Sequence, residues 1–165
     1  MTKYLTKFGM AAIREKLAFL QRKRDQALAN AGAAAQNDSN AYHDNFEYEE
    51  GMRQQEMFSQ RLRGLFQMLD GAVVAPEPSG NDRAAIGHYV HVRRDAEAAE
   101  GYVLCGEGEG ALFDNACSAS SPMGRALLGM AKGEKRTVDL GNRSCIVEVL
   151  EIRPATEADL ECSEF

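Results

Sequence analysis

Long apolar runs, paired cysteine motifs and an excess of positive charge are all missing from this chain of 165 residues. No run of about eighteen apolar residues occurs, and the N-terminus has no apolar core of signal-peptide length. We therefore expect a cytoplasmic protein with no membrane partner. The four cysteines, at positions 105, 117, 145 and 162, form no CxxC pair. This argues against a zinc site and favours reduced, mostly buried thiols.

The charge is negative overall and unevenly divided along the chain. A net charge of −6 argues against a protein that coats nucleic acid by itself, because phosphate binding needs clustered Lys and Arg. Residues 1–72 carry ten Lys/Arg against nine Asp/Glu, a balance of +1, whereas residues 73–165 carry nine against sixteen, a balance of −7. Two halves with different electrostatics predict two domains with different tasks.

Motifs of common enzyme classes are also missing. No GxGxxG or P-loop opens a helix after a strand, and no Ser/His/Asp or Cys/His set has a motif-like context. The glycine-rich segment 106–110 contains two glutamates that would repel a phosphate, so we interpret it as a turn between strands. His88 and His91 are three residues apart in a strand pattern, which places them on opposite faces and makes them poor joint metal ligands.

The first half of the chain has a helical pattern that is interrupted once. Thr6 is a plausible helix cap, and the apolar spacing predicts a helix over residues 7–36, roughly 45 Å long. The polar segment 37–40 favours a turn, and the helical pattern resumes near Asp44. Two long helices joined by a short turn are expected to pack antiparallel as a coiled-coil hairpin. Small alanines near the turn predict a slender tip.

The second half changes to a strand pattern after a linker at 76–82 that contains Pro76 and Pro78. One short helix is predicted at 121–129, with Ser121 as its cap and Pro122 in its first turn. These elements predict a small antiparallel sheet crossed by one helix. The predicted strands are 88–92, 101–105, 136–140 and 145–152.

The segment 42–50 is rich in acid where the hairpin turns, with four carboxylates between Asp44 and Glu50. One interpretation is a solvated first turn of a helix, where the helix dipole favours negative charge. The other is a set of ligands that a thin hairpin delivers to a Mg²⁺ site on another molecule, since Mg²⁺ accepts one or two carboxylates alongside phosphate oxygens and water.

Three segments resemble the Gre family of bacterial transcription elongation factors. Residues 44–48 followed by 53–55 are similar to its E-N-x-E-Y…R-x-Q-Q signature, and 121–129 is similar to its S-P-x-x-R-A-L-L-G segment. Leu5, Thr6 and Gly9 resemble the start of its first helix. The resemblance implies an N-terminal all-α antiparallel coiled-coil hairpin that enters the secondary channel of RNA polymerase. It also implies a C-terminal α+β FKBP-like domain that docks at the rim of that channel.

The resemblance thus divides the chain into a hairpin at 1–75, a linker at 76–82 and a docking domain at 83–165. It implies an accessory factor rather than an enzyme, and we expect it to act as a monomer. In the family, two tip acids three residues apart help the polymerase hold a second Mg²⁺ for cleavage of backtracked transcripts. This chain keeps one of them as Asp44 but has Ala41 at the other position. No metal is expected to bind stably to this chain alone.

The departure at Ala41 leaves two functions open. Asp38 or Glu47 could supply the missing carboxylate, and the factor would then stimulate cleavage. Otherwise the chain is a cleavage-deficient regulator or inhibitor that occupies the same channel.

The resemblance also suggests partners for other residues. Arg22, Lys23 and Arg24 correspond to a basic patch that faces the nascent RNA 3′ end, although three adjacent residues also fit a solvated cationic turn. We expect polymerase contacts from the short helix and its flank, namely Ser121, Pro122, Leu127, Leu128 and Met130.

Two other functional classes fit the sequence less well. A prolyl isomerase or chaperone would need an aromatic pocket, and the predicted sheet offers one Tyr and no Trp or Phe cluster before Phe113. A coiled-coil adaptor would place its binding residues along a helix face and would not need an acidic tip.

Overall fold

The structure, a computed structural model, describes residues 3–37, 46–95, 97–141 and 143–160. The chain divides into two compact units. Ala12–Asp70 forms the hairpin unit, and Met1–Ala11 together with Gly71–Phe165 forms the sheet unit. The first residues of the chain belong to the sheet unit, because the first strand of the chain pairs with a strand that follows the second helix.

In the part of the chain that the structure describes, two long helices follow the first strand, and six further strands and one short helix follow them. The elements are β1 (Lys3–Leu5), α1 (Lys7–Asn37), α2 (Phe46–Leu69), β2 (Ala72–Val74), β3 (His88–Arg94), β4 (Ala99–Cys105), β5 (Ala116–Ser118), α3 (Pro122–Leu127), β6 (Lys135–Asp139) and β7 (Ser144–Pro154), with single 3-10 turns at Glu109–Ala111 and Glu157–Asp159. Within the described ranges, no helix has the length and apolar character that a membrane span requires.

The hairpin unit contains two antiparallel helices. Near one end, a methyl group added at Gly51 of α2 would lie 2.8 Å from Cβ of Ala31 in α1, so the two backbones approach closely there. Near the other end, burial and the charge of Arg61 in α2 lower the pKa of Lys16 in α1. The buried side chains of α1 in this unit are Ile13, Leu17, Leu20, Ala27, Ala31 and Ala34. The predicted antiparallel hairpin is confirmed.

The sheet unit is built on a five-stranded sheet with the order β5-β4-β3-β7-β6. Strand β3 pairs antiparallel with both β4 and β7, and β6 pairs antiparallel with β7. Strand β5 pairs parallel with β4, so the prediction of a purely antiparallel sheet is wrong at this edge. The reason is the connection at 106–115, which contains a 3-10 turn and brings β5 back in the direction of β4. Strands β1 and β2 form a separate parallel pair.

The core of the sheet unit lies between the sheet and α3. Its buried members are Ala84, Val90, Val92, Leu104, Cys117, Leu127, Met130, Val138, Cys145, Val147, Val149 and Ile152. Cys105, Cys117 and Cys145 are buried and unpaired, which confirms the expectation for these three. Cys162 lies outside the described residues.

Candidate functional site

The acidic start of α2 contains one carboxylate that is already engaged. Glu50 accepts hydrogen bonds from Nε and Nη2 of Arg53, each at 2.9 Å, and from Nε2 of Gln54 at 2.7 Å. The hydrogen bonds from Gln54 and Arg53 lower the pKa of Glu50. Because these contacts lie within two turns of one helix, Glu50 is part of the local helix structure rather than an open metal ligand.

Glu47 and Glu49 remain exposed in the first turn of α2. They are two residues apart, which places them about 200° apart around the helix, so they cannot bind the same ion. Glu47 was named from the sequence as a candidate metal-assisting acid, and it is accessible for that role. The other tip positions in that prediction, Asp38, Ala41 and Asp44, lie outside the described residues.

One accessible carboxylate at the start of α2 bears on metal binding. Among the described residues, no group of three or more His, Cys, Asp or Glu side chains is placed to hold a metal. Glu47 offers a single accessible carboxylate, and Mg²⁺ needs further oxygen ligands to complete its octahedron. The described part of α2 can therefore contribute to an ion that another molecule and its phosphate groups also hold.

Three apolar side chains in the first two turns of α2 were not predicted as functional. Phe46 is 73% exposed, Tyr48 is 40% exposed and Met52 is 38% exposed. None of them belongs to the buried face of α2, which consists of Gly51, Leu62 and Leu65. The available sequence signal was that these residues lie off the apolar stripe of the helix. Their exposure makes this end of α2 a surface suited to contact with a partner.

The basic segment of α1 divides into residues with different environments. Arg24 binds Asp25 through Nε at 2.9 Å and Nη2 at 2.7 Å, so its charge is partly neutralised. Lys23 lies over the ring of Phe19, with Nζ 5.7 Å from the ring centroid. Arg22 is exposed. Arg22 and Lys23 are therefore the better candidates for a phosphate contact, and the exposed Phe19 beside them was missed from the sequence.

The predicted docking residues around α3 are mainly structural. Leu127 and Met130 are fully buried in the sheet core, so a direct contact of these two side chains with a partner is not supported. Sequence reasoning assigned them to the surface because a short apolar helix segment looks the same whether it faces a core or a partner. Leu128 is half-buried and Pro122 is exposed.

Ser121 caps α3. Its Oγ accepts from the amide of Gly124 at 3.0 Å and donates to the carbonyl of Ser118 at 2.7 Å. This is the helix cap that the sequence predicted. Contacts of Ser121, Pro122 and Leu128 with a polymerase remain predictions.

Known proteins share both halves of this chain in the same order. Residues 3–74 match the family model "Transcription elongation factor, N-terminal", and residues 78–154 match the family model "Transcription elongation factor, GreA/GreB, C-term". Transcription elongation factor GreA of Syntrophobacter fumaroxidans is 32% identical over 152 residues, which cover 90% of this chain and 96% of that protein. Transcription elongation factor GreB of Yersinia pestis is 30% identical, with 91% of this chain and 88% of that protein covered.

Among solved structures, GreA factor homolog 1 of Thermus thermophilus is 22% identical, with 93% of this chain and 99% of that chain covered at a TM-score of 0.43. The assignment therefore rests on the sequence matches, which span both domains and nearly the full length of the relatives. This chain belongs to the GreA/GreB family of transcription elongation factors.

Proposed function

We propose that this chain binds RNA polymerase as an accessory factor, with its hairpin in the secondary channel, and stimulates the polymerase's own cleavage of backtracked transcripts. The observation that carries the proposal is the accessible Glu47 carboxylate at the start of α2, in a hairpin that matches the family's N-terminal model. In this proposal the sheet unit supplies the docking surface, and the nascent RNA 3′ end lies near the basic residues of α1.

The chemistry follows from what each partner supplies. Mg²⁺ held by the polymerase activates water and stabilises negative charge on the phosphodiester. The carboxylate of Glu47 accepts a hydrogen bond from the water or coordinates the metal ion. Arg22 and Lys23 neutralise the charge of the phosphate. Because this chain contributes ligands and charge but no covalent step, we propose that it acts as an accessory factor.

The substitution at Ala41 supports a second candidate, a regulator that occupies the channel and inhibits without efficient cleavage. One of the two tip acids of the family signature is absent, and alanine has no oxygen that could bind a metal. A missing ligand is expected to cost roughly 1.4–2.8 kcal/mol of transition-state stabilisation, about 10- to 100-fold in rate. Weak stimulation by the wild type, or slower cleavage in its presence, would favour this second function.

The test is transcript cleavage in backtracked elongation complexes at limiting Mg²⁺, with and without the protein. Glu47→Gln should lower the stimulated rate, whereas Glu49→Gln, in the same turn but on the other side of α2, should leave it unchanged. Ala41→Asp should raise the rate, and Asp44→Ala should abolish it. Equal rates for all four variants would show that the carboxylates are not involved.

Binding is measured separately on core RNA polymerase without DNA. A complex should form at low micromolar protein in moderate salt. If none formed at about 10 µM, the proposed partner would be wrong.

A further inference from the structure

A fully buried carboxylate lies outside every site described so far. Glu109 is 0% exposed, although it lies in the glycine-rich segment that the sequence predicts as a turn between strands. Burial raises the pKa of Glu109, and hydrogen bonds from Thr6 oppose that shift. A buried glutamate is costly unless its oxygens are satisfied, so its partners indicate what it does.

Glu109 accepts hydrogen bonds from the backbone of Gly106 in its own loop and from Thr6 at the start of α1, 103 residues earlier in the chain. The amide of Thr6 donates to Oε1, and the hydroxyl of Thr6 donates to Oε2 at 2.7 Å. Oγ1 of Thr6 in turn accepts from the amide of Gly9 at 2.9 Å, which is the N-terminal cap of α1. Glu109 therefore holds the residue that caps the helix.

Two glycines beside Glu109 and Thr6 have no room for a side chain. A methyl group at Gly9 would lie 2.4 Å from Cδ of Glu109 and 2.6 Å from its Oε2. A methyl group at Gly106 would lie 1.6 Å from the carbonyl oxygen of Tyr4. Two glycines thus allow the loop after β4 to close on β1 and on the first turn of α1. None of these residues belongs to the main core of the sheet unit.

We propose that Glu109 is a positioning residue that fixes the first turn of α1 to the loop after β4. This latch consists of Glu109, Thr6 and Gly9. The functional part of the inference rests on the proposed function: α1 begins at this turn, and the same helix carries Arg22 and Lys23. Losing the latch should leave docking intact while lowering the effect of the hairpin on the polymerase.

The latch is tested by whether a single substitution raises or lowers the melting temperature. Alanine is the better helix former, so Gly→Ala inside a helix normally raises stability. Gly32→Ala in α1 is the matched control, because no atom lies within 4 Å of the position of its added methyl group. We expect Gly32→Ala to raise the melting temperature and Gly9→Ala to lower it, because the new methyl group displaces the carboxylate. If Gly9→Ala raised the melting temperature as Gly32→Ala does, the latch would be ruled out.

A double-mutant cycle tests whether Glu109 causes the destabilisation by Gly9→Ala. In a Glu109→Ala background the space beside Gly9 is free, so Gly9→Ala should no longer lower the melting temperature. Glu107→Ala, at an exposed position in the same loop, should leave the effect of Gly9→Ala unchanged. Hydrogen exchange of the Thr6 amide gives a local readout, which should accelerate in Gly9→Ala and in Glu109→Ala but not in Glu107→Ala. Unchanged exchange in both latch variants would contradict the proposal.

Measurements of polymerase binding and of the effect on backtracked complexes distinguish a positioning role of the latch from a general effect on stability. For Gly9→Ala we expect the concentration of half-maximal polymerase binding to stay within about twofold of wild type. The effect on backtracked complexes at saturation should fall about 10- to 100-fold, as small misplacements of active groups do. The positioning role would be overturned if Gly9→Ala lowered the affinity for the polymerase as much as the effect on backtracked complexes. It would also be overturned if Gly9→Ala lowered neither. If the wild type itself failed to bind the polymerase, the proposed function would fall, and the melting temperature of Gly9→Ala would still decide whether Glu109 holds α1.

Discussion

The hairpin unit and the sheet unit are stabilised by different kinds of contact. The sheet unit has a core of twelve buried residues, among them large aliphatic side chains from β3, β4 and β7. In α2 only Gly51, Leu62 and Leu65 are buried, and the facing part of α1 near Gly51 contributes alanines. Burial of large side chains stabilises the sheet unit, whereas close backbone contact stabilises the end of the hairpin. The hairpin therefore keeps most of its side chains on the surface, where they can meet a partner.

The largest expected effect distinguishes a core residue from a docking residue. Leu127→Ala should lower the free energy of unfolding by about 2–5 kcal/mol, because it removes a fully buried side chain and leaves a cavity. Urea denaturation followed by circular dichroism measures it. Leu128→Ala is the control, and its half-buried side chain should cost less. If Leu127→Ala kept wild-type stability but abolished polymerase binding, Leu127 would be a contact residue after all.

A smaller loss of stability is expected at Gly51, where the two helices approach closely. Gly51→Leu should destabilise the hairpin unit by about 1–3 kcal/mol, because the added side chain has to separate Ala31 from α2. The control is Gly64→Ala, also in α2, where no atom lies within 4 Å and better helix propensity should stabilise by ~0.5–1 kcal/mol. Thermal unfolding monitored by helical circular dichroism reports both. Equal behaviour of the two variants would show that the helices do not pack closely at Gly51.

The sequence was sufficient to predict the elements that have long periodic patterns. Helix α1, the Thr6 cap and the strong β-branched pattern of β7 were predicted within a few residues, because local propensity and burial agree in these segments. Strands β1 and β2 were not predicted, since each has three residues and their pairing joins positions about seventy residues apart. A segment that short has no detectable period of its own.

The candidate site was predictable as a list of residue types but not as an arrangement. The family signature identified Glu47, but only the structure shows Glu50 engaged by Arg53 and Gln54. The segment around Glu109 was interpreted only as a turn between strands, and no role was assigned to this glutamate. Its partner Thr6 is 103 residues away, so no local pattern could reveal that the carboxylate is buried.

An ion pair near the C-terminal turn should contribute to the pH dependence of the sheet unit's stability. Hydrogen bonds from Arg153 hold the pKa of Asp159 well below its usual range. Because the pKa is lower in the folded state, the stabilisation is present above the ordinary Asp pKa of about 4 and is lost as the pH falls towards the folded value. Asp159→Asn should remove about 1 kcal/mol at neutral pH, a modest figure because Arg153 is partly exposed.

The measurement is urea denaturation of wild type and Asp159→Asn at several pH values from neutral to acid. The difference between the two proteins should shrink as the pH falls. A difference that stayed constant with pH would show that Asp159 acts through packing or through its contacts with Thr156 rather than through its charge.

The smallest expected effect on stability comes from the exposed basic segment of the hairpin. Arg22→Ala should leave the unfolding free energy unchanged, because its side chain is exposed. In cleavage or inhibition assays the same change should weaken the effect on backtracked complexes by about twofold to fivefold, as expected of one screened contact between Arg and phosphate. The loss should diminish at high salt, which screens exposed charges.

Arg24→Ala provides the matched control for this last prediction. Arg24 carries the same charge two positions away, but its guanidinium binds Asp25, so its removal should have less effect on the RNA than the removal of Arg22. A larger loss from Arg24→Ala than from Arg22→Ala would mean that the ion pair opens on binding. If both variants kept the full effect on backtracked complexes, the basic segment would make no contact with the RNA. The hairpin's contribution would then come from the exposed start of α2.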